Sequence, residues 1–157
     1  MKRLLLYLPI LLAAFLIPVE SNDVGELSPV CVVQLGKLGE NILIQTDSGD
    51  IGIGDTPTSA LQNLKDTTPG IVYLDTARYL LVEESALDEV AELKNALKPQ
   101  VRICLAEGPV LGEETDAFLA SKDILPRLED WEKGAELPVL KVFEKRLILT
   151  KKSEKIP

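Results

Sequence analysis

Histidine is absent from this chain of 157 residues, and several kinds of chemistry are excluded with it. Without an imidazole there is no Ser-His triad, no histidine-ligated metal and no histidine general acid or base. Positive charge is also in short supply, because the formal net charge is −8. Binding to nucleic acid or anionic lipid through charge alone needs clustered Lys and Arg. The composition therefore predicts a non-enzymatic protein with no catalytic residues, no cofactor, no metal and no nucleic-acid partner.

An uncharged run lies close to the start of the chain. Lys2 and Arg3 precede Leu4–Val19, which has the layout of a secretory signal. The 16 residues of this run would span about 24 Å as a helix, less than the roughly 30 Å of a bilayer core. Pro9 and Pro18 further weaken a continuous spanning helix. The run therefore predicts export rather than an ordinary transmembrane helix.

The chain divides at the end of this run. Residues 1–21 are interpreted as a signal peptide or an N-terminal membrane anchor, and both alternatives stay open. Val19 and Ser21 fit a cleavage after Ser21. Residues 22–150 read as one domain and 151–157 as a polar tail. We expect an extracytoplasmic protein that touches the membrane only through its N-terminal segment.

Periodicity predicts a mixed β-sheet with packed helices, an α/β or α+β fold. Thr56-Pro57 has the pattern of an N-cap followed by the first helical residue. Ala86, Val90, Leu93 and Leu97 recur at helical spacing, which predicts a helix over Glu83–Lys98. The other predicted strands are Pro29–Leu35, Asn41–Asp47, Ile71–Leu74 continuing to Val82, Val101–Ala106, Val139–Phe143 and Arg146–Thr150. The other predicted helices follow Pro57 and cover Glu113–Ser121 and Ile124–Lys133.

Gly49–Asp55 reads Gly-Asp-Ile-Gly-Ile-Gly-Asp. It lacks the Gly-Lys-Ser/Thr ending of a phosphate-binding loop. Asp47, Asp50 and Asp55 offer oxygen atoms, but their spacing differs from that of a calcium loop. We interpret the segment as a glycine-rich connection from a strand to a helix.

Two kinds of function remain open. Arg78 and Tyr79 are the candidate interaction residues, because Arg and Tyr often anchor protein interfaces. Asp75 and Glu107 each follow an apolar strand, and a pair of carboxylates can perform glycosidase-type chemistry. The leading hypothesis is an exported interaction domain with an envelope or membrane protein partner. The alternative is a small secreted hydrolase that uses these carboxylates.

Cys31 and Cys104 both lie in apolar, strand-like runs. Two buried free thiols are the favoured interpretation. An exported protein can also form a disulfide, which requires adjacent or facing strands. A catalytic thiol is disfavoured, because no histidine is present to activate it.

A succession of segments is similar to a known family. The segments are Glu26-Leu27 leading into Val30–Leu35, Asn41–Thr46, Thr58–Leu64, Ile71–Val82, Val101–Glu107 and Leu137–Val142. In this order they resemble the N-terminal domain of the GerC-type lipoprotein subunits of bacterial spore germinant receptors. The resemblance covers about residues 22–107 and 137–143, and it consists of packing patterns.

The resemblance implies an extracytoplasmic, membrane-attached, non-catalytic subunit that works beside integral membrane proteins in spore germination. It supplies no catalytic residues. Pro18–Asp23 contains no cysteine where the family has its lipid acceptor, so lipid anchoring is not expected. The chain also ends soon after the first domain, whereas family members continue. We therefore expect a stand-alone relative with a sporulation or cell-envelope role.

Overall fold

A seven-stranded mixed sheet organises residues 27–151, the part of the chain that the computed structural model describes. The strands of this sheet are β2 (Val32–Leu38), β3 (Asn41–Thr46), β4 (Ile51–Gly54), β6 (Tyr79–Glu83), β7 (Arg102–Glu107), β8 (Pro138–Phe143) and β9 (Arg146–Lys151). Strands β1 (Leu27–Pro29) and β5 (Ile71–Tyr73) form a separate parallel pair. The helices are α1 (Pro57–Thr67), α2 (Val90–Leu93) and α3 (Thr115–Ala120), with 3₁₀ turns at Leu74–Thr76 and Glu84–Glu89. The predicted mixed α/β or α+β fold class is confirmed.

The signal peptide or anchor predicted over residues 1–21 lies outside the described residues. So does the polar tail predicted over 151–157, apart from Lys151, which ends β9. Across residues 27–151, the structure contains no helix with the length and hydropathy needed to cross a membrane.

The strand order is β4-β3-β2-β6-β7-β8-β9. Strands β2, β6, β7 and β8 run parallel, and antiparallel hairpins extend this core at both sides. Central parallel strands are covered on both faces and therefore read as continuous apolar runs. The runs Val32–Leu35, Tyr79–Val82 and Ile103–Ala106 are buried throughout.

The two faces of the sheet carry separate cores. On the first face, Val33, Leu35 and Leu80 pack with residues of α1 and α2. On the second face, Val32, Leu81, Cys104 and Leu140 pack with Leu119 of α3 and with Val110 and Ile124. These two faces are called the first face and the second face below.

Helix α1 begins as its sequence predicts. Thr56 Oγ1 accepts a hydrogen bond from Ser59 N at 3.2 Å, and Thr56 N donates to Ser59 Oγ at 2.9 Å. This reciprocal capping box satisfies donors that the first turn leaves free. Ala60, Leu61 and Leu64 face the core as predicted.

Glycines let α1 lie directly on β4. A Cβ at Gly52 would come within 2.2 Å of Ala60 O, and one at Gly54 would come within 2.2 Å of Ser59 Oγ. Glycine inside a strand often marks such a close approach of another backbone. The interpretation of Gly49–Asp55 as a connection is therefore wrong, because Ile51–Gly54 pairs with β3 as an edge strand.

Two predicted helices differ from the structure. The segment Glu83–Lys98 is α-helical only over Val90–Leu93, although its periodic apolar residues are all buried. A 3₁₀ turn rises about 2.0 Å per residue against about 1.5 Å in an α-helix, so Glu84–Glu89 carries the chain further per residue.

The helix predicted over Ile124–Lys133 is absent. Leu128 N donates to Val101 O at 2.7 Å, and Ile103 N donates to Pro126 O at 3.1 Å. These bonds hold the segment extended beside β7. Pairing with the free side of β7 satisfies its backbone groups in place of a helix.

The two cysteines are free thiols, Cys104 buried and Cys31 half-buried. Cys31 directly precedes β2, and β6 separates β2 from β7, which carries Cys104. Two strand spacings amount to roughly 9.6 Å, beyond the reach of about 7 Å between the Cα atoms of a disulfide. The disulfide alternative for Cys31 and Cys104 is therefore not formed.

Gly52→Ala is expected to destabilise the domain by about 2 kcal/mol, because its Cβ would push α1 away from β4. The control is Gly112→Ala, since a Cβ there lies 3.9 Å from its nearest neighbour, Thr115 Oγ1. Urea unfolding of the purified chains measures both. Equal midpoints for the two variants would contradict the close contact of α1 with β4.

Burial raises the pKa of the Cys104 thiol to about 12, above the ordinary value of 9.0. The raised pKa means that the folded state holds the proton more tightly than the unfolded state. The associated stability is therefore complete below pH 9.0 and is lost as the pH rises toward about 12. Between pH 8 and pH 10.5, urea midpoints of the wild type should fall further than those of Cys104→Val. Parallel curves for the two proteins would show that Cys104 is not shielded from water.

Candidate functional site

The two candidate catalytic carboxylates lie at opposite ends of the sheet. Asp75 is in the 3₁₀ turn before β6, and Glu107 is the last residue of β7, with its Oε2 3.5 Å from Lys141 Nζ. Strands β6 and β7 are parallel, with Tyr79 beside Arg102. A strand advances about 3.3 Å per residue, so the length of β7 separates the carboxylates by roughly 16 Å. Asp75 and Glu107 therefore do not form a shared centre.

The two candidate interaction residues have different environments. Arg78 is exposed, and its guanidinium forms an ion pair with Asp116 of α3. Tyr79 is only 2% exposed and packs in the second-face core beside Val32. The expectation that Tyr79 lies on an exposed segment is wrong, because strand alternation turns its ring inward. Arg78 alone remains available at the surface.

The aspartates before α1 take part in turns. Cys31 N donates to Asp47 Oδ1 at 3.1 Å, and Ser48 Oγ donates to Asp50 Oδ2 at 2.6 Å. These contacts close the β3–β4 hairpin and fix it to the start of β2. Within the described range 27–151, no three His, Cys, Asp or Glu side chains gather where they could hold a metal ion.

The second face is uncovered over β3, β4 and the last residues of β2. Here Leu43 lies beside Ile53, Gln45 lies beside Ile51, and Leu38 lies beside Asn41. The exposed fractions are 55% for Leu38, 48% for Ile51 and 39% for Ile53. Leu38, Leu43, Ile51 and Ile53 are called the open face. Leu43 is half-buried. Exposed apolar side chains grouped on one face in this way mark an interaction site more often than isolated surface hydrophobic residues do.

A buried polar group borders the open face. Gln34 is 3% exposed, and its Nε2 donates to Glu83 Oε1 at 3.2 Å. Its Oε1 is buried and has no hydrogen-bond partner among the described residues. Gln34, Gln45, Ile51 and Leu111 are among the residues that line a groove of about 240 Å³. Because Gln34 Oε1 is buried, the acceptor that a binding partner can reach at this border is the half-buried Glu83 carboxylate.

Glu83 reaches Gln34 because the neighbouring residue of β2 has no side chain. A Cβ at Gly36 would lie 2.6 Å from Glu83 Cδ and 2.7 Å from each carboxylate oxygen. The carboxylate therefore lies across β2 at the border of the open face. It adds negative charge and further acceptor capacity to the site.

Sequence reasoning missed the open face, although the signal was present. Ile51-Gly-Ile-Gly54 alternates with the period of a strand, with glycine on one side and isoleucine on the other. Gln34 interrupts the otherwise apolar run of β2. A glutamine in a doubly covered strand signals a polar contact, but its partner Glu83 is distant in sequence and was not predictable.

Comparison with known proteins adds no relative to this description. The chain matches no protein-family model, no curated protein and no solved structure. The function is therefore argued from the residues and the geometry of the chain itself.

Proposed function

We propose that this chain is an extracytoplasmic, non-enzymatic interaction domain that binds a membrane or envelope protein through its open face. The observation that carries the proposal is the exposed apolar surface of Leu38, Ile51 and Ile53 on a sheet whose first face is covered by helices. Removing such surface from water is favourable by about 25 cal/mol per Å², and the costs of association offset part of this gain.

The chemistry of the border indicates what the partner offers. The Glu83 carboxylate is a hydrogen-bond acceptor, and Gln34 Nε2 holds it at the border of the open face. The chain as a whole carries a formal charge of −8. A complementary partner therefore presents an apolar surface with a donor beside it, either a backbone N–H or a cationic side chain.

The cellular setting rests on the N-terminal sequence. The charged Lys2-Arg3 pair before the uncharged Leu4–Val19 supports delivery across a membrane, either by a cleaved signal or by a retained anchor. The resemblance to the GerC-type subunits supports a role in sporulation, germination or the cell envelope. In this proposal the membrane is contacted only through the N-terminal segment.

Ile51→Ser combined with Ile53→Ser should abolish partner capture with little change in stability, because both side chains point to solvent. The matched control is Ile71→Ser, an isoleucine of β5 that is 36% exposed and outside the open face. Crosslinking in native membranes followed by pulldown measures the adduct. Equal adduct yields from the double variant and the wild type, at equal urea midpoints, would overturn the open-face proposal.

Gln34→Met tests the border of the site by two measurements. It removes the unpaired acceptor and also the hydrogen bond from Gln34 Nε2 to Glu83 Oε1, so the two effects on stability oppose each other and the urea midpoint should change little. Partner capture should fall, because Gln34 no longer holds the Glu83 carboxylate at the border of the open face. A variant that loses stability while keeping its adduct would assign Gln34 a purely structural role.

Export is tested independently of the partner. A tag fused after Pro157 should be digested by external protease in spheroplasts, whereas deletion of residues 1–19 should leave the tag protected in the cytoplasm. A protected tag on the full-length chain that fractionates with cytosol would contradict export.

A further inference from the structure

Three arginines of this acidic chain lie close together in the fold. Arg78, Arg102 and Arg127 all line a single cavity of about 510 Å³, together with Asp75 and Gln100. The cavity lies at the amino ends of β6 and β7, away from the open face at β2–β4. Its volume is within the range of about 300–1,000 Å³ typical of small-molecule sites.

Backbone pairing brings two of these arginines together. Arg102 and Arg127 are direct partners in an antiparallel bridge. Directly opposed residues in such a pair place their Cβ atoms about 4.5–5.5 Å apart on the same face of the sheet, where like charges repel. The pairing is fixed by the bonds that hold Pro126–Leu128 along β7. The fold therefore holds two positive charges side by side.

Carboxylates neutralise this cluster only in part. Arg78 is paired with Asp116, and Arg127 Nη1 lies 3.7 Å from Glu129 Oε1, with both side chains about half exposed. Arg102 forms no ion pair within residues 27–151. Asp75 is the one carboxylate among the residues lining the cavity. Arg102 is therefore the arginine of this cluster whose guanidinium has no carboxylate partner among the described residues.

We propose that this cavity binds a phosphate group through the guanidinium groups of Arg102 and Arg127. Guanidinium is planar and donates two parallel hydrogen bonds to the oxygens of one phosphate. A phosphate dianion between the two side chains replaces their repulsion by two attractions. Arg78 contributes a third positive charge at the wall of the cavity, and Gln100 contributes amide donors.

Two sources of phosphate suit the position of the cavity. The N-terminal strand joins the domain at this edge, because Thr76 Oγ1 donates to Val30 O at 3.0 Å and Arg78 N donates to Cys31 O at 2.8 Å. A lipid headgroup is one source, and it would add a second membrane contact to that of the N-terminal segment. A soluble phosphate compound reaches the same open cavity from solution.

The first experiment uses inorganic phosphate and the full-length chain in non-ionic detergent. Phosphate should raise the melting temperature of the wild type beyond the effect of sodium chloride at equal ionic strength. Arg102→Gln and Arg127→Gln should each weaken phosphate binding at least tenfold by calorimetry. Arg146→Gln, an exposed arginine in the distant β8–β9 hairpin, is the control and should bind normally.

Without phosphate, Arg102→Gln should melt no lower than the wild type, because it relieves repulsion. This measurement separates lost binding from lost folding. Equal phosphate responses in the wild type, Arg102→Gln and Arg146→Gln would overturn the proposal, as would a wild-type response no larger than that to chloride.

The second experiment distinguishes the sources of phosphate. Phosphatidylcholine vesicles with and without phosphatidic acid are tested for co-sedimentation with the same proteins. Binding that requires both phosphatidic acid and Arg102 assigns the cavity to a lipid headgroup. Arg102-dependent binding of inorganic phosphate without vesicle binding assigns it to a soluble ligand. Vesicle binding that persists in Arg102→Gln and Arg127→Gln, with no Arg102-dependent phosphate response, contradicts the site. Neither experiment depends on the open face, so the two proposals fail separately.

Discussion

The contact between α1 and β4 determines how the edge of this sheet is built. Helix and strand touch through backbone atoms, because Gly52 and Gly54 have no Cβ where Ala60 and Ser59 pass. Asn63 Oδ1 adds a further tie by accepting a hydrogen bond from Ile53 N at 3.0 Å. With glycine against the helix, strand alternation turns the side chains of Ile51 and Ile53 to the opposite face. The tight packing of one face thus produces the exposed apolar surface of the other.

The two proposed sites lie where a helix no longer covers the sheet or a regular strand no longer extends it. Over β6, β7 and β8 both faces are covered, and the second-face core includes Leu119 of α3. The second face lacks such cover at β3, β4 and the end of β2, which leaves the open face. Strand β8 pairs only with the second half of β7. The segment that contains Arg127 lies beside the first half. An irregular segment at that point can present a side chain that a regular strand would direct elsewhere.

Sequence patterns within a few residues predicted much of the fold. Strand pairings between residues far apart in the sequence could not be predicted. The strands predicted over Val139–Phe143 and Arg146–Thr150 and the helix start at Thr56-Pro57 depend on neighbouring residues. The structure has them within one residue of the predicted bounds. The helical spacing correctly indicated that four apolar side chains are buried, those of Ala86, Val90, Leu93 and Leu97. It did not predict the 3₁₀ hydrogen bonding of Glu84–Glu89. Periodicity predicted a helix over Ile124–Lys133, but pairing with β7 prevailed. The same pairing places Arg127 beside Arg102, which no local pattern reveals.

The parallel core also sets how fast the chain reaches its native state. The β2–β3 and β8–β9 hairpins are local and lie on opposite sides of the sheet, and the central pairs join Val32 to Tyr79 and Leu105 to Val139. Hairpins form in about 1–10 μs, whereas sheets dominated by distant pairings take milliseconds to seconds. A newly made chain would thus remain unfolded after its hairpins first appear. Under the export proposed above, this delay would keep the polypeptide unfolded while it passes through a translocation channel.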